Sequence, residues 1–186
     1  MKRLPPESVR GRIRGYIERH AGKLGDDVLE VGSRMVVPNA WWIVNRDLAQ
    51  GKWTGIDMID GDGVDQVADI HALPEDWARR FSGVLCSEVL EHVERPWVAL
   101  PKLREVTRPG GWIVVTTLTS FPIHGFPDDY WRFTPSGLRL LLEDAGFEDV
   151  ETDNAGGIRI ELDDHGGGMC KRTLPLHVFG VGRRPV

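Results

Sequence analysis

Cysteine is scarce: Cys86 and Cys170 are the only 2 in a chain of 186 residues. Their separation matches no metal-ligand spacing, and a reducing compartment suits such isolated thiols best. Long apolar runs are missing as well. The longest, such as Trp112-Ile113-Val114-Val115, are strand-sized, against the ~20 residues that a membrane helix needs. No apolar stretch follows the basic start Met1-Lys2-Arg3-Leu4-Pro5-Pro6, so no signal peptide is expected. Positive charge is not in excess either. A net charge of −5, from 23 basic and 28 acidic residues, argues against a general attraction to nucleic acid or to an anionic membrane. These absences lead to the expectation of a soluble, cytoplasmic protein with neither a nucleic-acid nor a membrane partner; nothing in the sequence speaks to oligomeric state.

What remains is ordinary globular material. With 41% hydrophobic and 27% charged residues, the chain is neither disordered nor fibrous. Its length corresponds to one domain at roughly 150 residues per domain. A chain of this size buries about 70% of its unfolded surface and needs no covalent staple.

The stretch Glu7 to Leu24 reads as a helix, with Val9, Ile13, Tyr16 and Ile17 at helical spacing and Arg10, Arg12, Arg14 and Arg19 between them. The arginines form either a solvated basic face or a docking surface for an anionic substrate or partner. We take residues 1–24 as a helical extension and 25–186 as the main domain. After Gly25-Asp26-Asp27, short apolar runs alternate with helical stretches. The runs are Val28 to Val31, Trp53 to Asp57, Val64 to Asp69, Gly83 to Cys86 and Trp112 to Leu118. Near-continuous apolar strands separated by helices indicate a parallel sheet covered on both faces. Helix signals lie between them. Trp97 to Thr107 carries an awkward Pro101, which predicts a late start or a kink, and Pro109-Gly110-Gly111 stops it. Thr134 followed by Pro135 reads as an N-cap and first helical residue, with Leu138, Leu141, Leu142 and Ala145 forming the apolar stripe and Gly146 the stop. Phe147 to Asp153 and Leu176 to Val181 then predict a terminal antiparallel hairpin, with a long glycine-bearing loop between them that includes Gly156, Gly157 and Gly166 to Gly168. The fold class is a Rossmann-like, doubly wound, mostly parallel α/β sheet.

In such a sheet the ligand binds outside the carboxyl ends of the strands, where strand order reverses. Neither a G-x-G-x-x-G fingerprint nor a P-loop occurs, since Gly32 is followed by Ser33-Arg34-Met35-Val36-Val37-Pro38. Phosphate cradling is therefore poorly supported. What stands at the strand ends instead is acid: Glu30, Asp57 and Asp69. Carboxylates accept hydrogen bonds and do not donate them when ionised, which suits the hydroxyls and amine of an adenosine-type ligand without phosphates.

Five stretches in order carry a resemblance. Val28-Leu29-Glu30-Val31-Gly32-Ser33, Thr54-Gly55-Ile56-Asp57-Met58, Val67 to Pro74, Val84 to Val93 and Leu103 to Trp112 together resemble the motifs of class I S-adenosylmethionine-dependent methyltransferases of the type 11 group. The likeness runs from about Val28 to Val150. Phe121 to His124 and Asp129 to Pro135 look like a subgroup signature. The resemblance implies S-adenosyl-L-methionine as cofactor. It implies that Glu30, Gly32 and Ser33 border the methionine part, that Asp57 binds the ribose with Met58 against the adenine, and that Asp69 accepts from the adenine amine beside the Ile70 backbone. Ser87 and Glu88 would face the methionine amino group and the sulfonium. The family's glycine-rich turn is replaced here by Arg34 and Met35, and the connection after Asp57 is too short for a full helix.

Methyl transfer asks the protein to align a nucleophile and exclude water, and a hydroxyl nucleophile also benefits from a base. His92 and His124, following the fourth and fifth strands, are the candidates. Glu88, Glu91 and His92 sit at i, i+3 and i+4, so a helical turn would bring all three to one face. With His124 they would make a two-carboxylate, two-imidazole site, and some methyltransferases with a similar E-x-x-E-H string bind magnesium in this way. Alternatively Glu91 and His92 cap the turn and pair with arginines; we assign no metal. The stretch Asp128 to Phe133 is either the wall of an acceptor pocket or a packed lid in which Arg132 pairs with Asp128 or Asp129. Trp41-Trp42 reads as core packing of the helix after the first strand, and Cys86 as a small buried hydrophobe. The reading is a methyltransferase acting on an oxygen or nitrogen of a small molecule or glycan. The alternatives are a catalytically inactive module of the same fold and, less supported, a nicotinamide oxidoreductase.

Overall fold

A computed structural model of the chain describes residues 8–36, 45–48, 51–125, 128–163 and 169–186. The first helix, α1 (Val9–Leu24), starts where the Ser8 hydroxyl accepts the Gly11 N–H at 3.0 Å, and it buries Tyr16, Ile17 and Leu24. Then come β1 (Asp27–Val31), β2 (Lys52–Asp57), a short β3 (Gln66–Val67) and β4 (Phe81–Ser87). The remaining elements are α2 (Pro96–Val106), β5 (Thr107–Leu118), α3 (Pro135–Asp144), β6 (Glu148–Ala155), β7 (Ile158–Asp163), β8 (Met169–Leu174) and β9 (His177–Arg183).

Seven strands form one sheet in the order β3-β2-β1-β4-β5-β9-β6. The five strands β1 to β5 run parallel, and β9 runs antiparallel to both of its neighbours. Strand alternation divides the core. Val28, Leu85, Val114 and Phe179 point toward α1, while Leu29, Val84, Cys86, Ile113 and Val115 point toward the face covered by α2 and α3. That is the period-two pattern of a sheet buried on both faces. Gly83 lets α1 approach, because a Cβ there would lie 2.5 Å from Leu24 Cα.

Several expectations are corrected. The interior proline neither delays nor replaces α2: the helix starts at Pro96 and contains Pro101. Pro101 lacks an N–H for the carbonyl of Trp97, a residue 53% exposed, where water can serve instead. Pro109-Gly110-Gly111 does not stop a helix but lies inside β5, whose first residue is already Thr107. The long loop between β6 and β9 is largely the antiparallel ribbon β7–β8, in which Ile158 pairs with Leu174 and Ile160 with Arg172. Trp41, Trp42, Gly166 to Gly168 and the side chain of Cys170 lie outside the described residues. The N-cap of α3 stands as read: the Thr134 hydroxyl accepts the Gly137 N–H at 3.1 Å, and Gly146 follows at φ 85°.

Candidate functional site

Strand order reverses between β1 and β4, so a crevice opens above their carboxyl ends. On one side β2 and β3 pair in parallel, with Asp57 opposite Val67. Asp57 and Asp69 therefore leave the sheet at the same end. Oδ1 of Asp57 accepts the Ile59 N–H at 2.9 Å and lies 3.5 Å from Nε of Arg34. Oδ1 of Asp69 accepts the His71 N–H at 2.9 Å and meets His71 Nδ1 at 2.8 Å. Burial pushes the Asp69 carboxyl up, but the His71 N–H and ring outweigh it and hold the group below its ordinary value. Among the described residues, Oδ2 of each aspartate accepts no hydrogen bond. Met58 stands 63% exposed, whereas Ile70 is buried in the core.

The loop after β1 crosses the end of β2: the N–H groups of Gly32 and Ser33 both donate to the Ile56 carbonyl, at 2.8 and 3.0 Å. Gly32 sits at φ 71°, and a Cβ there would come within 2.3 Å of Val89 Cγ2. This close approach is why the position takes glycine. Among the described residues the buried Ser33 hydroxyl has no hydrogen-bond partner. Glu30 is the last residue but one of β1, but its side chain is spoken for. Its Oε1 accepts from Asn45 at 2.8 Å and its Oε2 from Trp53 Nε1 at 2.7 Å, so both oxygens are already engaged. Burial raises its carboxyl despite these two donors.

Across the crevice, Ser87 ends β4 with its hydroxyl 2.8 Å from that of Thr116. Glu88 follows at φ 55°, its N–H donating to the Thr116 carbonyl at 2.8 Å. A left-handed conformation at a residue other than glycine costs on the order of 1–3 kcal/mol and turns the chain out of helical geometry. The helical spacing expected for Glu88, Glu91 and His92 therefore does not apply. Glu88 turns instead to His177 at the start of β9, with Oε2 3.0 Å from Nδ1. His177 was not anticipated from the sequence.

Glu91 and His92 lie on a short 3₁₀ turn, Leu90–His92. Glu91 is 1% exposed, and its Oε2 accepts the Thr117 hydroxyl at 2.8 Å. Burial first, then the charge of Glu88, pushes its carboxyl up to about 8. Nδ1 of His92 donates to the Asp128 carbonyl at 2.5 Å, so its Nε2 is left facing Glu91 Oε1 at 4.0 Å. His124 accepts no such burial, with its side chain 42% exposed. Its Nδ1 lies 3.1 Å from Asp129 Oδ2 and its ring 5.0 Å from that of His92. Asp129 is gripped by both terminal nitrogens of Arg132, at 2.5 and 2.7 Å, which holds its carboxyl well below the usual range. Glu91, His92 and His124 each offer one ligand atom, all within 4.8 Å of one another. These three could hold a divalent cation, with Asp128 and Asp129 fixing the imidazoles from behind. Glu88 is not one of them, and among the described residues Glu91 and His92 form no ion pair with an arginine. The stretch after Asp128 is a packed strap: Arg132 pairs with Asp129, Trp131 Nε1 donates to the Val93 carbonyl at 2.9 Å and Phe133 is buried, while Tyr130 is 47% exposed.

A sheet in this order, with one antiparallel strand and acids at the ends of β2 and β3, defines the class I methyltransferase fold. The model of the methyltransferase domain family matches residues 7–152, and the chain belongs to that family. It is similar to the ubiquinone biosynthesis O-methyltransferase of Nitrosospira multiformis, 32% identical over 126 residues, which is 58% of this chain and 49% of the relative. The chain thus spans about half the length of that curated relative. Among solved structures it resembles a SAM-dependent methyltransferase from Archaeoglobus fulgidus, with TM-score 0.67, 14% identity and 95% of each chain covered. It also resembles the 1,6-didemethyltoxoflavin-N1-methyltransferase of Burkholderia thailandensis, solved with bound 1,6-didemethyltoxoflavin and S-adenosylhomocysteine, with TM-score 0.62, 17% identity and coverage of 97% of this chain and 80% of the other. At these identities the structural likeness establishes the fold. No helix among the described residues is long and apolar enough to cross a membrane.

Proposed function

We propose that the chain binds S-adenosylmethionine and transfers its methyl group to an oxygen or nitrogen of a small molecule, a glycan included, in the cytoplasm. One observation carries the reading: Asp57 at the end of β2 and Asp69 just beyond β3 leave the sheet at the same end, and each keeps one carboxylate oxygen that accepts no hydrogen bond among the described residues. The unpartnered Ser33 hydroxyl and Glu88 Oε1 fit a ligand that brings hydroxyls and an amine. A diphosphate would meet carboxylates there. In this reading Asp57 holds the ribose with Met58 beside the base, and Asp69 with the Ile70 backbone takes the adenine edge. Gly32, Ser33, Ser87 and Glu88 hold the methionine part. Glu30 acts from behind by fixing Asn45 and Trp53 under the loop.

When bound, the sulfonium supplies an electrophilic methyl group. The chain has to orient the acceptor in line with it, exclude water and hold a proton. His92 and His124 stand on the β4–β5 side, where they line the acceptor half. Titration with S-adenosylhomocysteine, followed by tryptophan fluorescence, tests the reading. Saturable binding that falls at least 10-fold in Asp57→Ala supports it; no binding at millimolar ligand overturns it. A second reading, a module of the same fold without catalysis, is favoured by Arg34, which lies against Asp57 where the ribose would come. It predicts that Asp57→Ala leaves ligand response unchanged.

A further inference from the structure

Around His177, polar atoms are buried with nothing to bond. Among the described residues, neither ring nitrogen of His177 completes a hydrogen bond, and Oε1 of Glu88 and the hydroxyl of Thr119 are buried without partners as well. His177 is 4% exposed. Buried polar groups are nearly always satisfied, so several together at one strand edge call for a missing partner. All of them belong to the same end of the sheet: Leu118 of β5 pairs with His177, and Thr119 donates its N–H to the Leu176 carbonyl at 2.8 Å. The end lies on the β4–β5–β9 side of the switch point, away from Asp57 and Asp69.

We infer that His177, oriented by Glu88, is the proton acceptor for a phenolic hydroxyl seated against Phe121. This deepens the methyl-transfer reading and rests on it. The carboxylate lies 3.0 Å from Nδ1 without completing a hydrogen bond; its charge at that distance favours the proton on Nδ1 and leaves Nε2 as the base, in the order carboxylate, imidazole, nucleophile. The strained φ of 55° at Glu88 is what aims the carboxylate away from the Leu90–His92 turn and at His177. The aromatic character of the acceptor follows from its walls: the Phe121 ring lies 6.2 Å from His177 and 5.3 Å from His124. Its neutrality follows from the charges. The Glu88 carboxylate faces this end, and the Arg132 guanidinium is held by Asp129. His92 and His124 are less suited, since each spends Nδ1 on a neighbour and both belong to the group that with Glu91 could hold a cation. In the reaction the acceptor O–H bond breaks and its proton passes to Nε2. The acceptor oxygen's pair forms the new bond to the methyl carbon, and the pair of the carbon–sulfur bond remains on sulfur. The imidazolium so formed is offset by the Glu88 carboxylate.

The probe is 4-nitrophenol, whose phenolate absorbs in the visible, titrated into the full chain with and without S-adenosylhomocysteine. The expected result is saturable binding with a phenolate band at a pH where free probe is mainly protonated. The band should fall at least 10-fold in His177→Gln and persist in Lys102→Gln, an exposed position on α2 outside the site. A band retained in His177→Gln overturns the assignment, as does a wild type that binds S-adenosylhomocysteine but not the probe. A wild type that binds the probe through His177 and ignores S-adenosylhomocysteine sinks the cofactor reading and leaves the pair standing. Should His177→Gln fail to fold, ¹⁵N-histidine spectra of the wild type decide. Ring nitrogens of His177 that shift on adding the probe support the proposal, and unmoved ones refute it.

Discussion

Replacing Glu91 by glutamine isolates one buried charge. In the folded chain the carboxyl is raised from 4.5 to about 8, so it stays protonated where the unfolded chain has already ionised it. A folded-state value raised above the unfolded one contributes stability that is complete below about pH 4.5 and is lost as pH climbs toward 8. Each unit of displacement is worth about 1.4 kcal/mol. Taking half of the displacement, because the charge is coupled to Glu88, gives about 2 kcal/mol lost between pH 5 and pH 9. For a chain of this length that corresponds to about 4–8 °C in Tm. Glutamine keeps an acceptor for the Thr117 hydroxyl and cannot ionise. Thermal melts at several pH values, with EDTA present to remove any cation from Glu91, His92 and His124, should show the wild type falling relative to Glu91→Gln as pH rises. Parallel curves for the two proteins would refute the reasoning.

Three further outcomes are expected. Arg34→Ala should tighten S-adenosylhomocysteine binding by about 5-fold, since a partly exposed ion pair is worth up to about 1 kcal/mol; calorimetry that finds weaker binding would make Arg34 a cofactor contact instead. Gly32→Ala should destabilise by about 2–4 kcal/mol, combining a disfavoured positive φ with a clash on Val89. Denaturant unfolding measures it, and adding Val89→Ala should recover only the clash. Cys86, fully buried with its thiol pushed far up by burial, should resist a thiol-specific reagent in a Cys170→Ser background until the protein unfolds.

The strands and caps were legible because their signals are local. Runs such as Val28 to Val31 and Trp112 to Leu118 can only satisfy their apolar side chains between two layers, and Thr134-Pro135 states its own helix start. Asp57 and Asp69 were legible for a related reason, since parallel strands deliver the residues at and just beyond their ends to one edge, although β3 is only Gln66–Val67 and shorter than the run Val64 to Asp69 suggested. The ribbon β7–β8 was obscured by the glycines around it, although Ile158, Ile160 and Leu174 carry alternation suited to strands. Glu88 and His177 could not be paired from sequence. A positive φ at a glutamate has no compositional mark, and the partner comes from a strand that enters the sheet from the opposite direction. Glu30 shows the reverse case: a motif position is read easily, while Asn45 and Trp53 as its partners depend on tertiary packing.

The most direct measurement is a crystal structure with S-adenosylhomocysteine. The account predicts the ribose hydroxyls on Asp57 with Arg34 swung aside, the adenine at Asp69, and the sulfur beside Ser87 and Glu88 with open space reaching toward Nε2 of His177. Density for the ligand anywhere else, or an unchanged contact between Arg34 and Asp57 at saturating ligand, would contradict it.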